Sequence, residues 1–354
     1  MALSNISGSE AHGRPRRSLA WVGSLVTMTG TFLATLLGLL IMTFTIGRVM
    51  PIDPVSAMVG WEADKATYDR VYHELAFDQP LYVQFLRYLA GILHGDFGIA
   101  LRTGRPVLQD ILAVFPATAE LATLSILVGA AIGIPLGVYA AARQGKLVDN
   151  IARFVTLVGY STPNFWLALV GLLVFYGWLG WAGGSGRVSV YLEGLVPVRT
   201  GSLLIDSLLA GDTEVFFSAL RHIFLPASVM AYGSMAFITR MTRSFMLDQL
   251  SQEYVTTARV KGLSENKILW RHAFPNIGVQ LLTILALVYG GAVEGSVLVE
   301  TVFAWPGFGQ YLTNNLLMGD MNAAMGCVLL VGVIFVTLNF ISDFLYRVLD
   351  PRTK

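Results

Sequence analysis

Charged residues are scarce in this sequence. Asp, Glu, Lys and Arg make up only 13% of its 354 residues, whereas a soluble domain carries roughly 25%. Hydrophobic residues make up 55%, and the net charge is +1. This composition excludes an ordinary soluble domain, and the small net charge gives no reason to expect nucleic acid as a partner. The chain is therefore predicted to be an integral membrane protein.

Motifs for catalysis and metal binding are also missing. The sequence has a single cysteine, Cys327 in an apolar run. Because a disulfide needs two cysteines, an intramolecular disulfide is excluded. The sequence contains no GxxxxGKS, GxxxxGKT, HExxH or CxxC pattern, and its five histidines are scattered over loops and helix ends. We therefore expect no catalytic residue, no metal site and no cofactor in this chain, and no hydrolysis of a nucleotide by it.

Six stretches are long and apolar enough to cross a membrane as helices, which takes about 20 apolar residues. They are residues 22–47, 117–141, 153–179, 222–246, 277–299 and 324–347. The first follows the basic sequence RPRR, but its apolar run is longer than the roughly 7–15 residues of a signal peptide, and no small-residue cleavage site follows. We expect a retained helix and an all-α polytopic membrane protein with six transmembrane helices.

The basic residues are distributed unevenly around these spans. Fifteen of the 24 Lys and Arg residues lie in the two terminal segments, in the connections between spans two and three and between spans four and five, or at the ends of the adjoining spans. In a chain with six spans, all of these segments lie on the same side of the membrane. Basic residues mark the cytoplasmic side of a membrane protein. Both termini are therefore predicted to be cytoplasmic, residues 50–116 to lie outside, and the protein to reside in the cell inner membrane.

Glycine and proline interrupt several spans. The positions are Gly129, Gly133, Pro135 and Gly137 in the second span, Pro163 with Ser161 and Asn164 in the third, and Gly291 with Gly295 in the fifth. Glycines at four-residue spacing permit close contact between helices, and an interior proline should kink or break a helix. Broken, glycine-faced spans favour a bundle that encloses a mobile pathway, as in a channel or transporter.

The segments predicted outside differ from each other. Residues 50–114 mix apolar and charged residues at helical spacing and are divided by Gln79-Pro80, so we expect amphipathic helices at the outer rim. Residues 180–201 are rich in turn residues and continue into SLLIDSLLAGD, an amphipathic stretch. Residues 1–20, before the first helix at 21–49, are expected to form a flexible cytoplasmic terminus.

The longest polar insertion among the later spans is EYVTTARVKGLSENKILWRHAFPN at residues 253–276. Ser251 and Ser264 are suitable helix N-caps, and Gly262 separates two helix-compatible runs, of which the second ends at Pro275. This pattern predicts a cytoplasmic helical hairpin with a glycine turn, where small side chains let a partner approach closely. Judged by its charge alone, the stretch could also be a solvated basic loop.

The sequence of this insertion resembles a known family. TARVKGLS followed by RHAFPN is similar to the cytoplasmic coupling loop, or EAA motif, of ABC-importer permeases of the peptide/nickel group. Thr256, Thr257 and Ala258 stand where the motif has Glu-Ala-Ala, and Gly262 is its glycine. The resemblance runs in order from about residue 25 to 353, through FPATAEL, GYSTPNFWLAL, LLAGD, HIFLPA, VETVFAWPGFGQYL and LYRVLDPR.

The resemblance implies a type I importer permease fold, with a permease domain at 115–348 that includes the coupling loop at 251–275. It implies a second related permease, two ATPase subunits that bind ATP and Mg²⁺, and a periplasmic or lipid-anchored solute-binding protein. This chain would form half of a pathway for peptides or similar small solutes across the lipid. The residues expected to couple it to the ATPase are Tyr254, Thr257, Ala258, Arg259, Lys261, Gly262, Leu263, Ser264 and Glu265.

Polar residues in or near the spans are candidates for the transport path: Glu120, Ser161, Asn164, Glu294 and Glu300. Glu120 and Glu300 lie near the outer ends of the second and fifth spans, where the resembled family also has Glu. Glu294 lies inside the fifth span, where that family would be expected to have a small residue. A charge inside a span normally faces a cavity or a partner because its burial in lipid is costly.

Two other classes of membrane protein are alternatives, a secondary transporter and a channel subunit. A secondary transporter needs ionisable residues near the bilayer midplane and often has an internal repeat, and a channel needs a filter sequence or a ring of like residues. The sequence has few such ionisable residues, no repeat and no filter-like stretch. Copurification of an ATPase would distinguish an ABC permease from both alternatives.

Overall fold

The computed structural model describes residues 17–49, 54–60, 62–74 and 76–349. Within these ranges the chain is built of helices, and strand-like pairing is confined to one bridge between Ile99 and Pro106. Most of the flexible terminus predicted at 1–20 lies outside the described residues, as do residues 350–354, which include the end of the LYRVLDPR motif.

The α-helices follow in the order α1 Arg17–Val49, α2 Pro54–Val59, α3 Lys65–Glu74, α4 Leu81–Leu93, α5 Val107–Ala142, α6 Leu147–Ser161, α7 Asn164–Gly171, α8 Leu203–Ala210, α9 Thr213–Leu250, α10 Glu253–Val260, α11 Glu265–Lys267, α12 Gly278–Phe303, α13 Phe308–Leu317 and α14 Met321–Leu349. A π-helical stretch, Leu172–Trp178, extends α7, and Ile268–Ala273 with Phe274–Ile277 joins α11 to α12.

The described chain contains the six predicted spans, one of them broken. The long helices α1, α5, α9, α12 and α14 are each apolar enough to cross a membrane, and α6 with α7 forms a sixth, bent pair. The two halves of this pair meet at 97°, at the Pro163 where a break was expected. The residue before a proline is driven out of the helical region, and Thr162 is accordingly extended, with φ −93° and ψ 124°.

The spanning helices extend beyond the predicted apolar stretches. Helix α5 begins at Val107 rather than near 117 and stays helical through Pro116 and Pro135, and α9 begins at Thr213 rather than near 222. Hydropathy marks where lipid contact begins, whereas caps decide where a helix begins. At α9 the cap is Asp212, whose carboxylate accepts the Val215 N–H at 3.0 Å.

Helices α5 and α9 form the centre of the bundle and touch along the predicted glycine series. A β-carbon added at Gly137 would lie 2.7 Å from the Thr239 carbonyl oxygen and 2.7 Å from Thr242 Cβ. At Gly133 it would lie 3.0 Å from the Met235 carbonyl oxygen, and at Gly129 3.1 Å from that of Ala231. The prediction of close helix contact through these glycines is confirmed.

The segment between the first two spans forms short helices, as its residue spacing predicted. Helices α3 and α4 are separated by a turn at Ala76, whose φ is +55°, and α4 starts directly after Pro80. Helix α4 is amphipathic: it buries Gln84 and exposes Leu81, Tyr82, Leu86 and Leu93. Because α5 begins at Val107, the predicted outer segment and the predicted permease domain share this helix.

Candidate functional site

The polar insertion folds as a helical hairpin between α9 and α12. Helix α10 forms its first arm, residues 265–277 form its second, and Gly262 lies at the tip. The Gly262 φ is +76°, and a β-carbon added there would meet nothing within 4 Å. Only glycine adopts this left-handed conformation without strain, and the space beyond the tip is open.

A small apolar cluster holds the two arms together. Val255 and Ala258 from α10 pack against Ile268 of the second arm, with Leu250 and Leu263 at the edge. Ala258 is only 8% exposed. Ala258, one of the residues expected to couple the chain to the ATPase, is therefore covered, because its side of α10 faces the second arm.

The opposite side of the hairpin is exposed. It presents Tyr254, Thr257, Arg259, Lys261, Ser264 and Glu265. Arg259 and Glu265 pair across the turn, with Nε–Oε1 at 2.9 Å and Nη2–Oε2 at 3.4 Å. Sequence reasoning missed Val260, which is 85% exposed between these basic residues. A single exposed apolar side chain is common on protein surfaces, so Val260 marks the tip without by itself defining a contact.

The ends of the hairpin differ from the prediction. Helix α9 continues to Leu250, so Ser251 ends that helix and its hydroxyl donates to the Asp248 carbonyl oxygen at 2.8 Å. Gln252, not Ser251, occupies the N-cap position of α10. Ser264 does occupy the N-cap position of α11, without a side-chain cap bond. Pro275 does not close the second arm, because it lies in a turn that leads directly into α12.

One tyrosine links the end of α9 to both arms of the hairpin. The Tyr254 hydroxyl donates to Gln249 Oε1 of α9 at 3.1 Å and accepts from Asn276 Nδ2, just before α12, at 3.1 Å. The second arm also runs into α12 without an extended linker. The hairpin is thus joined to α9 at one end and to α12 at the other.

At the opposite end of α12, Glu300 joins three helices in a cluster that we call the outer junction (Thr118, Ser296, Glu300 and residues 304–310). Glu300 is fully buried. Its Oε1 accepts from the hydroxyls of Thr118 and Ser296 at 2.7 and 2.8 Å. Its Oε2 accepts from the backbone N–H groups of Gly309 and Gln310 at 2.7 and 3.1 Å. The carboxylate thus holds α5, α12 and α13 together.

Glu120 and Asp206 hold the loop that precedes α8. Glu120 pairs with Arg187 and accepts from the Ser202 hydroxyl at 2.6 Å and the Leu204 N–H at 2.9 Å. Asp206 accepts from the backbone N–H and the hydroxyl of Thr200, each at 2.8 Å. Burial alone would raise the pKa of Asp206, but these hydrogen bonds lower it overall. Both carboxylates are buried within packing contacts, as Glu300 is.

Among the other transport-path candidates, Asn164 lines an open pocket between α7, α9 and α12. The pocket has a volume of about 290 Å³ and is lined by Asn164, Gly233, Ser234, Gly291 and Gly295, among others. Neither Gly291 nor Gly295 has an atom within 4 Å of an added β-carbon, so this face of α12 is open. Glu294 is exposed on the same helix, and Ser161 is exposed at the end of α6. The fold thus brings Asn164 to the glycine face of α12 and leaves Glu120 and Glu300 in the outer packing.

These features define a class of protein. A bundle of apolar helices includes one broken span, has an open pocket between spans and carries a polar hairpin joined to two spans. Within the described residues, no three His, Cys, Asp or Glu side chains gather as a metal site. This arrangement is typical of a membrane transport permease.

Comparison with known proteins gives the family. Residues 133–354 match the family model described as binding-protein-dependent transport system inner membrane component, and residues 24–122 match the model of the N-terminal part of such membrane components. The chain belongs to this family of permeases.

Its relatives include peptide permeases. The chain is 42% identical to the probable D,D-dipeptide transport system permease protein DdpB of Escherichia coli, over 89% of this chain and 92% of that protein. It is 37% identical to the di/tripeptide permease protein DppB of Pseudomonas aeruginosa, over 92% and 96%. The fold is similar to a chain of the MetNI methionine ABC transporter in an inward-facing conformation, with a TM-score of 0.50 and 16% identity over 66% and 93%.

The chain is therefore a permease subunit of an ABC importer and a multi-pass membrane protein with the type I permease fold. It is not an enzyme, and ATP hydrolysis belongs to a separate subunit. Membership of the family implies an ATPase and a solute-binding protein as partners. This assignment replaces the alternatives of a secondary transporter and a channel subunit.

Proposed function

We propose that this chain forms one half of the translocation pathway of a peptide importer, beside a second, related permease. Two ATPase subunits bind ATP and Mg²⁺ on the cytoplasmic side, and a solute-binding protein delivers the peptide from outside. The peptide assignment is supported by the relatives, whose names specify D,D-dipeptides and di- or tripeptides.

The hairpin at 251–275 is the proposed contact with the ATPase. The observation that carries this proposal is its construction: an open tip at Gly262, a Tyr254 hydroxyl hydrogen-bonded to Gln249 of α9 and to Asn276 of the second arm, and a second arm that runs directly into α12. Closure of the two ATPase subunits pushes the tips of the two permeases, and this displacement turns α9 and α12 about the open pocket that Asn164 lines. Alternating access results when these helices have two packings of similar free energy.

The proposed orientation places the hairpin, both termini and the α5–α6 turn in the cytoplasm and residues 50–106 outside. It is supported by the distribution of Lys and Arg. Cysteines introduced at Asp64 and Lys354 in a Cys327→Ser background test it on intact cells with a membrane-impermeant maleimide. We expect labelling at 64 alone, and labelling at 354 alone would reverse the orientation.

Photo-crosslinking tests the ATPase contact directly. A benzophenone amino acid replaces Val260, which is 85% exposed at the hairpin tip, and in a matched control replaces Val190, which is 86% exposed in the outer loop. Irradiation of membranes that contain the whole transporter should link position 260 to the ATPase subunit and position 190 to none. A crosslink to the ATPase from 190 but not from 260 would refute the docking assignment.

The proposed transport path runs along the open face of α12. Asn164 and the glycines at 291 and 295 provide room for a solute, and the exposed carboxylate of Glu294 lies on the same helix. A carboxylate inside an apolar span is retained at low cost only where water or a cation reaches it. The ammonium group of a peptide is a cation of suitable charge for this position.

A further inference from the structure

A second cavity, at the outer end of α1, contains polar groups that transport does not explain. It has a volume of about 240 Å³ and lies between the end of α1, helix α4 and the start of α14. Its polar lining includes Arg48, Arg87, Gln84, Tyr88 and Asp96. In the described part of the chain, none of these arginines has a hydrogen-bond or ion-pair partner.

Within the described ranges, the Arg48 guanidinium lies over aromatic rings and pairs with no acceptor. Its guanidinium carbon lies 4.0 Å from the centre of the Phe77 ring and 5.3 Å from that of Phe44. Cation–π contacts fix the position of a guanidinium but leave its N–H groups free to bind an acceptor. Arg87 faces the same cavity from α4, so two positive charges converge on one space. An anion placed there is stabilised by both.

Two buried polar atoms beside these arginines also lack partners among the residues that the structure describes. The Gln84 side-chain amide donates to the Phe77 and Gln79 carbonyl oxygens at 3.3 and 2.7 Å, which leaves Gln84 Oε1 unpaired. The Tyr88 hydroxyl is buried without a partner as well. Burial raises the pKa of Tyr88 to about 12, so its O–H stays a donor at neutral pH. Unpaired buried polar atoms are uncommon and indicate a missing partner.

The position of the cavity identifies the source of the anion. Arg48 ends the apolar span Val26–Arg48, so it lies at the boundary between hydrocarbon and lipid headgroups. Helix α4 exposes Leu81, Tyr82, Leu86 and Leu93 beside the cavity. A short helix with such an apolar face lies in the membrane interface with its basic side chains at headgroup level.

We propose that this cavity binds the phosphate group of a phospholipid in the leaflet that our proposed orientation makes the outer one. Arg48, Arg87 and the Tyr88 hydroxyl donate to the phosphate oxygens, and the acyl chains lie along the exposed side chains of α4. Gln84 Oε1 and the Asp96 carboxylate accept from the ammonium of a headgroup that carries one. The bound lipid anchors the outer helices to the first and last spans.

Lipid binding can be measured on the full chain purified in detergent and stripped of lipid. A short-chain phosphatidylethanolamine, a short-chain phosphatidylglycerol, inorganic phosphate and an acidic peptide are titrated separately by calorimetry. We expect both lipids to bind and phosphate alone to bind far more weakly, because it lacks the acyl chains. The Arg48→Gln/Arg87→Gln variant should bind lipid at least about tenfold more weakly, since each charged hydrogen bond contributes about 1.5–3 kcal/mol.

The matched control is Arg70→Gln/Arg102→Gln, which removes the same charge from exposed arginines outside the cavity and should leave lipid affinity unchanged. If the double variant of the cavity does not fold, Tyr88→Phe tests the same site by removing one donor. Phosphate binding as tight as lipid binding would show a free-anion site and overturn the lipid assignment. Binding of the acidic peptide in place of lipid, or equal affinity in the Arg48/Arg87 variant and its control, would overturn it too.

Discussion

Substitution of Glu300 tests whether the outer junction is a structural joint. In Glu300→Leu the carboxylate is replaced by an apolar side chain of similar size, and four donors lose their acceptor. The Ser296 hydroxyl already donates to the Val293 carbonyl oxygen at 2.9 Å and can keep that bond. The backbone N–H groups of Gly309 and Gln310 cannot turn elsewhere.

The expected loss follows from these two N–H groups. Each buried donor left unpaired costs about 1–3 kcal/mol, so Glu300→Leu should lower the free energy of unfolding by about 2–6 kcal/mol. Glu300→Gln should cost only about 1 kcal/mol. Its remaining oxygen can accept from both N–H groups, while its amide donates to the hydroxyls of Thr118 and Ser296, which can reverse their direction.

The assay is thermal unfolding of the detergent-purified chain, followed by uptake in proteoliposomes with the whole transporter. We expect Glu300→Gln to retain most of the stability and the uptake, and Glu300→Leu to lose both. Equal losses of stability in the two variants would refute the hydrogen-bond reasoning. Loss of uptake in Glu300→Gln at unchanged stability would instead show that the charge acts in transport.

Three further substitutions test other parts of the account. Gly137→Ala should destabilise the α5–α9 contact, whereas Gly38→Ala, which meets no atom within 4 Å, should not; thermal unfolding compares them. Asp206 has a lowered pKa, so its stabilisation of the loop before α8 is complete above about pH 4 and is lost as the pH falls through that lowered pKa. Proteolysis of residues 195–201 should therefore accelerate at low pH in the native chain, and at every pH in Asp206→Asn. Glu294→Gln should reduce uptake of cationic peptides more than that of neutral ones, and an equal effect on both would leave Glu294 with a structural role only.

The sequence predicted the spans and the helix contacts well because both depend on local patterns. Apolar runs located six spans, the four-residue spacing of Gly129, Gly133 and Gly137 located the α5–α9 contact, and Pro163 located the broken span. Each of these features is determined by residues close together in the chain, so a single sequence contains the necessary information.

Positions that depend on distant residues were not predictable in the same way. Ala258 is buried because Ile268 of the other arm covers it. Both oxygens of the Glu300 carboxylate accept hydrogen bonds because Thr118 of α5 and the start of α13 meet at its side chain. Ser251 was mistaken for a cap because α9 runs past the apolar stretch that marked its end. In each case tertiary packing, which the spacing of residues does not encode, determined the outcome.

The central claim is that the hairpin transmits the action of the ATPase, and substrate-stimulated ATP hydrolysis with uptake in proteoliposomes tests it most directly. Gly262→Leu should abolish both, while insertion and pairing with the second permease persist. The control is Gly145→Leu in the α5–α6 turn, because Gly145 has the same open surroundings and a similar φ, +75° against +76°. We predict near-normal coupling in Gly145→Leu and none in Gly262→Leu; normal uptake with leucine at 262 would contradict the account.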